Sequence, residues 1–327
     1  MIKMNENRYK LIKDISEERN SKVICYFCGD RQNVNIRVAP DIIPIFHKLL
    51  EHLGKTDKID LFIFTKGGDV LTSLRLVELI YEYCSKFSVL VPYKAYSAGT
   101  LICLGASEII MTKMGELSPV DPNITSVFNP EDANNMKLPI NVEDVYSFFS
   151  IAKDVIGLKT DETLIKVFTN LTEHIHPLAV GSIFRSHALI RTVAKELLLM
   201  HMNYQDEYKI NEVVNILTEK LQSHSYMITR REAKNIIKLP IENCSDELEK
   251  KLWSLYETYE KDFSFNIPFS PEEAADSLGK FSVCSGIIET ADMSYGYIFD
   301  GAIHNMGEGN INGYANVNIV NQAWRRI

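Results

Sequence analysis

Three short, nearly uninterrupted apolar runs, residues 59–64, 87–91 and 108–112, constrain the fold of this chain more than any other feature of it. Helical stretches separate them, residues 70–85 and 97–104. A strand that is apolar on both faces must be covered on both, and such strands belong to parallel sheets flanked by helices. Right-handed crossovers connect strands of this kind. An α/β fold follows. A polar helix within residues 1–22, a strand at 23–28 and a helix at 41–53, with Asp41 as its N-cap, extend the same grammar toward the N-terminus.

The character changes after Met114. Residues 115–123, Gly-Glu-Leu-Ser-Pro-Val-Asp-Pro-Asn, read as a turn-rich loop, and an Asn- and Asp-rich stretch follows it. Helical patterns then dominate: 142–156, 161–172, 177 to about 202 with Pro177 at the first position, 211–223, 229–237 and 245–261. A boundary is expected near residues 262–270. The chain divides into a domain at 1–262, with a helical insertion at about 126–176, and a β-rich appendage at 263–327. The appendage is too small for an independent core and should pack on the main domain or on a neighbouring subunit.

Two strand–helix corners carry the chemistry. Gly67 and Gly68 end one strand, and Ser97 ends the next. A serine at such a turn presents its hydroxyl beside free helix-start amides, and adjacent glycines let backbone N–H groups approach a ligand. Together they suit acyl transfer, supplying a nucleophile and donors for the oxyanion it creates. The structural alternative for Ser97 is a plain helix N-cap. Asp69 reads as the cap of the helix after the glycines.

Thirty-five basic and 43 acidic residues give a net charge of −8 without a long single-sign run, which sets nucleic acid aside as a partner. The apolar stretch 98–111 is too short to span a membrane, and the N-terminus has no signal-like apolar core, so a cytoplasmic protein is expected. The six cysteines fall mostly inside apolar elements and read as buried thiols. No metal and no cofactor are expected, since the histidines and cysteines lack ligand spacing.

The segments Thr65-Lys66-Gly67-Gly68-Asp69, Ala95-Tyr96-Ser97-Ala98-Gly99-Thr100 and Leu117-Ser118-Pro119-Val120-Asp121-Pro122 resemble the serine dehydrogenase proteinases. These are Clp-fold serine peptidases related to signal peptide peptidase A and the Clp protease subunit. The good match covers residues 55–125, with looser similarity over 177–240. The resemblance implies a ClpP/crotonase-like spiral of stacked β-β-α units, here with helical additions and a small β-rich C-terminal segment. It also implies a homo-oligomer, as a ring or a multiple of trimers. It assigns the nucleophile to Ser97 and the oxyanion donors to Gly68, supported by Gly67, and to Ala98. One departure stands out: where Clp subunits place the base histidine, this chain has Val120 or Asp121.

The proton acceptor must therefore come from elsewhere. His224 is the first choice, in a segment resembling the family's Thr-His-Asp run, with Asp121 as the acid that orients it. His176 is the runner-up base, and its structural alternative is a helix-entry residue. Lys137 is a further candidate of the dyad type; Arg185 stays protonated and cannot serve. The expected function is a serine peptidase acting on polypeptide laid extended beside residues 67–70. The rivals are an acyl-CoA enzyme of the crotonase type and a scaffold with a lapsed site.

Overall fold

In the computed structural model the described residues are 6–120, 123–124, 127–221, 223, 225–304 and 316–327. An eight-stranded sheet runs in the order Ile241–Glu242, Glu108–Met111, Cys84–Val91, Thr56–Phe64, Lys22–Cys28, Lys280–Glu289, Ser294–His304 and Asn316–Arg326. The first five are mutually parallel, and the last three are added antiparallel. The apolar runs thus form the parallel half of the sheet, with the fold class as expected.

Both faces are covered, which is why those strands read as continuous apolar runs. Successive side chains point to opposite faces: Leu61 and Ile63 join one core, and Phe62 and Phe64 the other. The first core takes in Phe46 of helix Ile43–Leu53, Leu76 and Val77 of Val70–Tyr81, Leu101 of Ala98–Leu104 and Leu197 of Pro177–Leu199. The second packs Ile12 and Ile15 of Glu6–Arg19 and Leu252, Leu255 and Tyr259 of Asp246–Asp262. Among the described residues no helix is long and apolar enough to cross a membrane.

Several boundaries differ from the sequence expectation. The helix after the glycines stops at Tyr81, because Cys84 already pairs with Thr56 and starts the next strand. Asp41 lies within a short 3-10 turn, Pro40–Ile42, that begins at Ala39 without a side-chain cap; Pro40 presets the helical φ and so starts the turn one residue earlier. The C-terminal strands continue the main sheet directly, Cys25 pairing with Glu289. There Arg8 Nε donates to Glu289 at 2.8 Å and the Tyr259 hydroxyl donates to the same carboxylate at 2.6 Å, which ties the first helix to the end of the chain.

A second, three-stranded sheet joins Lys94–Ala95, Glu116–Leu117 and Ile228–Thr229, with Glu116–Leu117 in the middle. The strand Cys84–Val91, the short strand Lys94–Ala95 and the helix Ala98–Leu104 follow one another as a strand, short strand, helix unit, and Glu116–Leu117 follows the main-sheet strand Glu108–Met111 in the same way. The helices Val142–Ser150 and Asp161–His174 and the first half of Pro177–Leu199 form a small core of their own around Val142, Val145, Leu171, Ala179 and Ile183.

Candidate active site

The first corner is fixed by backbone pairing on two sides. Thr65 donates its N–H to Lys94 O at 2.9 Å and accepts from Tyr96 N at 3.0 Å, which brings the glycine corner against the serine corner. On the other side Val38 N donates to Gly67 O at 2.9 Å, and Asp69 N donates to Val38 O at 2.8 Å. Successive peptide groups of an extended chain point to opposite sides. With Gly67 O and Asp69 N taken by Val38, the Gly68 N–H is turned away from Val38. Val38 thus already holds one edge of residues 67–70.

Glycine is required at both positions. A Cβ on Gly68 would lie 2.1 Å from Val38 O. A Cβ on Gly67, at φ +107°, would lie 2.7 Å from Ser97 Cβ and 3.2 Å from Ser97 Oγ. The diglycine and the serine hydroxyl are therefore in contact range. Asp69 caps the following helix, accepting from Thr72 N at 2.7 Å, as its sequence position predicts.

Ser97 stands on a strained turn. Its φ of 50° and ψ of −108° lie outside every well favoured by a residue with a side chain. The side chain makes no capping bond, so the plain N-cap alternative does not hold. Ser97 is half-buried, and its hydroxyl has no hydrogen-bond partner among the described residues. Its own N–H donates to Ser118 Oγ at 2.8 Å. The next amide, Ala98, opens the helix and has no intrahelical acceptor. Neither the Gly68 nor the Ala98 N–H has an acceptor among the described residues. Ser73 Oγ donates to Ala98 O at 3.1 Å and fixes the two corner helices to each other.

The small sheet gathers the segments that flank the remaining candidates. Ala95 pairs with Leu117 in parallel, and Leu117 pairs with Ile228 antiparallel. The residues that follow Ala95, those that follow Leu117 and those that immediately precede Ile228 therefore lie at one end of the sheet. Val120 N donates to Leu217 O at 2.9 Å and holds the loop to the helix before residue 224. Asp121 and His224 themselves lie outside the described residues. His176 caps helix Pro177–Leu199, its Nδ1 accepting from Leu178 N at 3.2 Å, and its ring stacks on Phe128. Lys137 Nζ sits 2.8 Å from Glu131 and donates to Asn129 O at 3.1 Å. Arg185 bonds Ser182.

Ser118 escaped sequence reasoning, being only one residue of a turn-rich loop. His187 also did: it is buried on the long helix, its ring 4.7 Å from that of Tyr146. Burial pushes its pKa below the ordinary histidine value, against Glu219, which raises it. Burial pushes the Cys28 thiol up to about 11, in keeping with an inert core cysteine.

Residues 1–156 match the ClpP-like SDH-type serine proteinase family. An uncharacterized protein of Methanocaldococcus jannaschii is 27% identical over 241 residues, 70% of this chain and 71% of that one. A second from the same organism is 34% identical over 128 residues, 36% of this chain and 42% of that one. Among solved structures, the 1510-N membrane-bound stomatin-specific protease in complex with a substrate peptide is 14% identical, with a TM-score of 0.37 over 69% of this chain and 78% of that one. ClpP1 from Listeria monocytogenes is 15% identical, with a TM-score of 0.36 over 73% of this chain and 97% of that one.

Proposed function

We propose that this chain, whose residues 1–156 match the ClpP-like SDH-type serine proteinase family, is a serine peptidase forming an acyl-enzyme on Ser97. The observation that carries the reading is the corner itself: an uncapped serine at φ 50° beside Gly67, with the Gly68 and Ala98 N–H groups lacking acceptors among the described residues. In the reaction Ser97 Oγ attacks the scissile carbonyl carbon and gives its proton to the base. The carbonyl oxygen becomes an oxyanion that accepts from Gly68 N and Ala98 N. Collapse breaks the C–N bond, the base returns the proton to the leaving amine, and water then releases the acyl group by the reverse sequence.

His224 is the proposed base and Asp121 the residue that orients it. The pairing of Leu117 with both Ala95 and Ile228 supports this, since it directs all three segments to one end of the small sheet. His176 is the poorer candidate, because its Nδ1 already accepts from the Leu178 amide. Lys137 would first have to leave Glu131 and Asn129 O. An extended polypeptide suits the free side of Gly68, opposite Val38. A homo-oligomer is proposed as well, formed over the exposed apolar side chains of the helical segment.

The test is labelling with a fluorophosphonate probe together with hydrolysis of a fluorogenic peptide. Ser97→Ala should abolish both and leave the melting temperature unchanged. Labelling retained in that variant would overturn the assignment of the nucleophile. His224→Ala should slow both by roughly 10²- to 10⁴-fold, the usual contribution of a general base, whereas His176→Ala should leave them near wild type.

A further inference from the structure

A non-glycine residue at φ 50° and ψ −108° does not hold that shape unaided. Conformations of this kind persist only where neighbours over-determine them. On the C-terminal side of Ser97, Leu101 N donates to Ser97 O at 3.0 Å, the first bond of the helix. On its N-terminal side, the bond that Ser97 itself makes among the described residues is from its N–H to Ser118 Oγ, at 2.8 Å.

The direction of that bond is set by chemistry. A hydroxyl carries one proton, and Ser118 Oγ donates it to Pro119 O at 2.9 Å. Its lone pairs are left for Ser97. Ser118 is only 3% exposed, so no bulk water competes for them. The loop is in turn latched to the nucleophile's own helix: Ser118 N donates to Thr100 Oγ1 at 3.1 Å, and Thr100 is fully buried. The Ser97 amide is thereby committed to the loop, and the next amide along, Ala98, is the one left to face the oxyanion.

We propose that Ser118 is a positioning residue, whose hydroxyl holds the Ser97 turn in its strained form and so aims Ser97 Oγ and the Ala98 N–H at the substrate carbonyl. The inference rests on the reading of Ser97 as nucleophile. Ser118 touches no reacting atom. Its loss leaves the Ser97 amide without that acceptor and lets the turn relax, which misplaces the attacking oxygen without altering where the substrate binds. A misplacement of about 1 Å can cost on the order of 100-fold in rate.

The experiment compares Ser118→Ala, Ser118→Cys and Ser118→Thr in the full chain. It reads kcat and KM on a fluorogenic peptide, and hydrogen exchange at the Ser97 amide. Ser118→Ala should lower kcat roughly 10- to 100-fold with KM little changed, and should speed exchange at Ser97 while the main-sheet amides stay protected. The volume-matched Ser118→Cys, a poor acceptor, should do the same. Ser118→Thr, which keeps the hydroxyl, should restore most of kcat. Wild-type kcat in Ser118→Ala with the Ser97 amide still protected would overturn the proposal, as would equal losses in the Thr and Ala variants. Were the wild-type protein itself to fail to label at Ser97, the nucleophile reading would fall. The exchange comparison would still decide whether Ser118 holds the turn.

Discussion

The serine corner and the helical segment of residues 127–184 are built on opposite terms. At the corner, partners distant in sequence hold the chain: Val38 on Gly67 and Asp69, Thr65 on Lys94 and Tyr96, Ser118 on Ser97. The helix behind it, Ala98–Leu104, is buried at all seven positions. The helical segment instead keeps much of its apolar surface outside, with Val155 79% exposed, Phe184 66% and Ile165 63%. Its own core is small. The contrast teaches that strain is tolerable where burial and long-range pairing are dense. The exposed apolar side chains of the helical segment are the surface over which the homo-oligomer is proposed to form.

Substitutions that exchange these two environments should break the contrast if it is wrong. Leu101→Ala removes a fully buried side chain behind Ser97, and a loss of about 2–5 kcal/mol is expected in urea unfolding. Gly68→Ala places a Cβ against Val38 O; the expected outcome is a loss of at least about 1–3 kcal/mol from backbone strain, with peptidase turnover falling further than stability does. Preserved turnover in that variant would show that the Val38 pairing does not set the Gly68 amide.

A smaller effect concerns the edge of the parallel sheet far from the corner. Burial alone would raise the Glu108 pKa, but hydrogen bonds and charge from Arg19 and Lys58 outweigh it and hold the carboxyl at about 2. A folded-state value below the ordinary one of 4.5 means that the stabilisation is fully present above about pH 4.5 and is lost as pH falls toward 2. The stability difference between wild type and Glu108→Gln should therefore be flat from pH 5 to 7 and close steadily below about pH 4.5; a difference independent of pH would contradict the ion network. Smallest of all, Ile165→Ala on the exposed helix should change monomer stability by no more than about 0.5 kcal/mol. The sharper probe there is sedimentation: Phe168→Ser with Phe184→Ser should lower the mass of any wild-type oligomer, and an unchanged mass would remove that surface from the account of assembly.

Much of the corner was legible in the sequence because its signals are local. Gly67 and Gly68 are glycines for reasons a strand–helix turn makes visible, and Asp69 caps its helix where the spacing says it should. The small sheet was not legible. Strands of two residues, such as Lys94–Ala95 and Glu116–Leu117, carry no periodicity, and the partner strand Ile228–Thr229 arrives from far along the chain. His176 is ambiguous in another way: a histidine before Pro177 reads as the runner-up base or as a helix-entry residue, and the bond to Leu178 N, visible only in the structure, is that of a cap.

By itself the sequence determined the alternation of buried strands and helices, because two-sided burial writes itself as continuous apolar runs, and it determined which corners lack side chains. Tertiary structure alone decided how those corners face one another. The φ of Ser97, the turning of the Gly68 amide and the hydroxyl of Ser118 beneath the Ser97 N–H are all products of pairing between distant segments. Such pairing is specified by the closure of the whole sheet, and no window of neighbouring residues contains it.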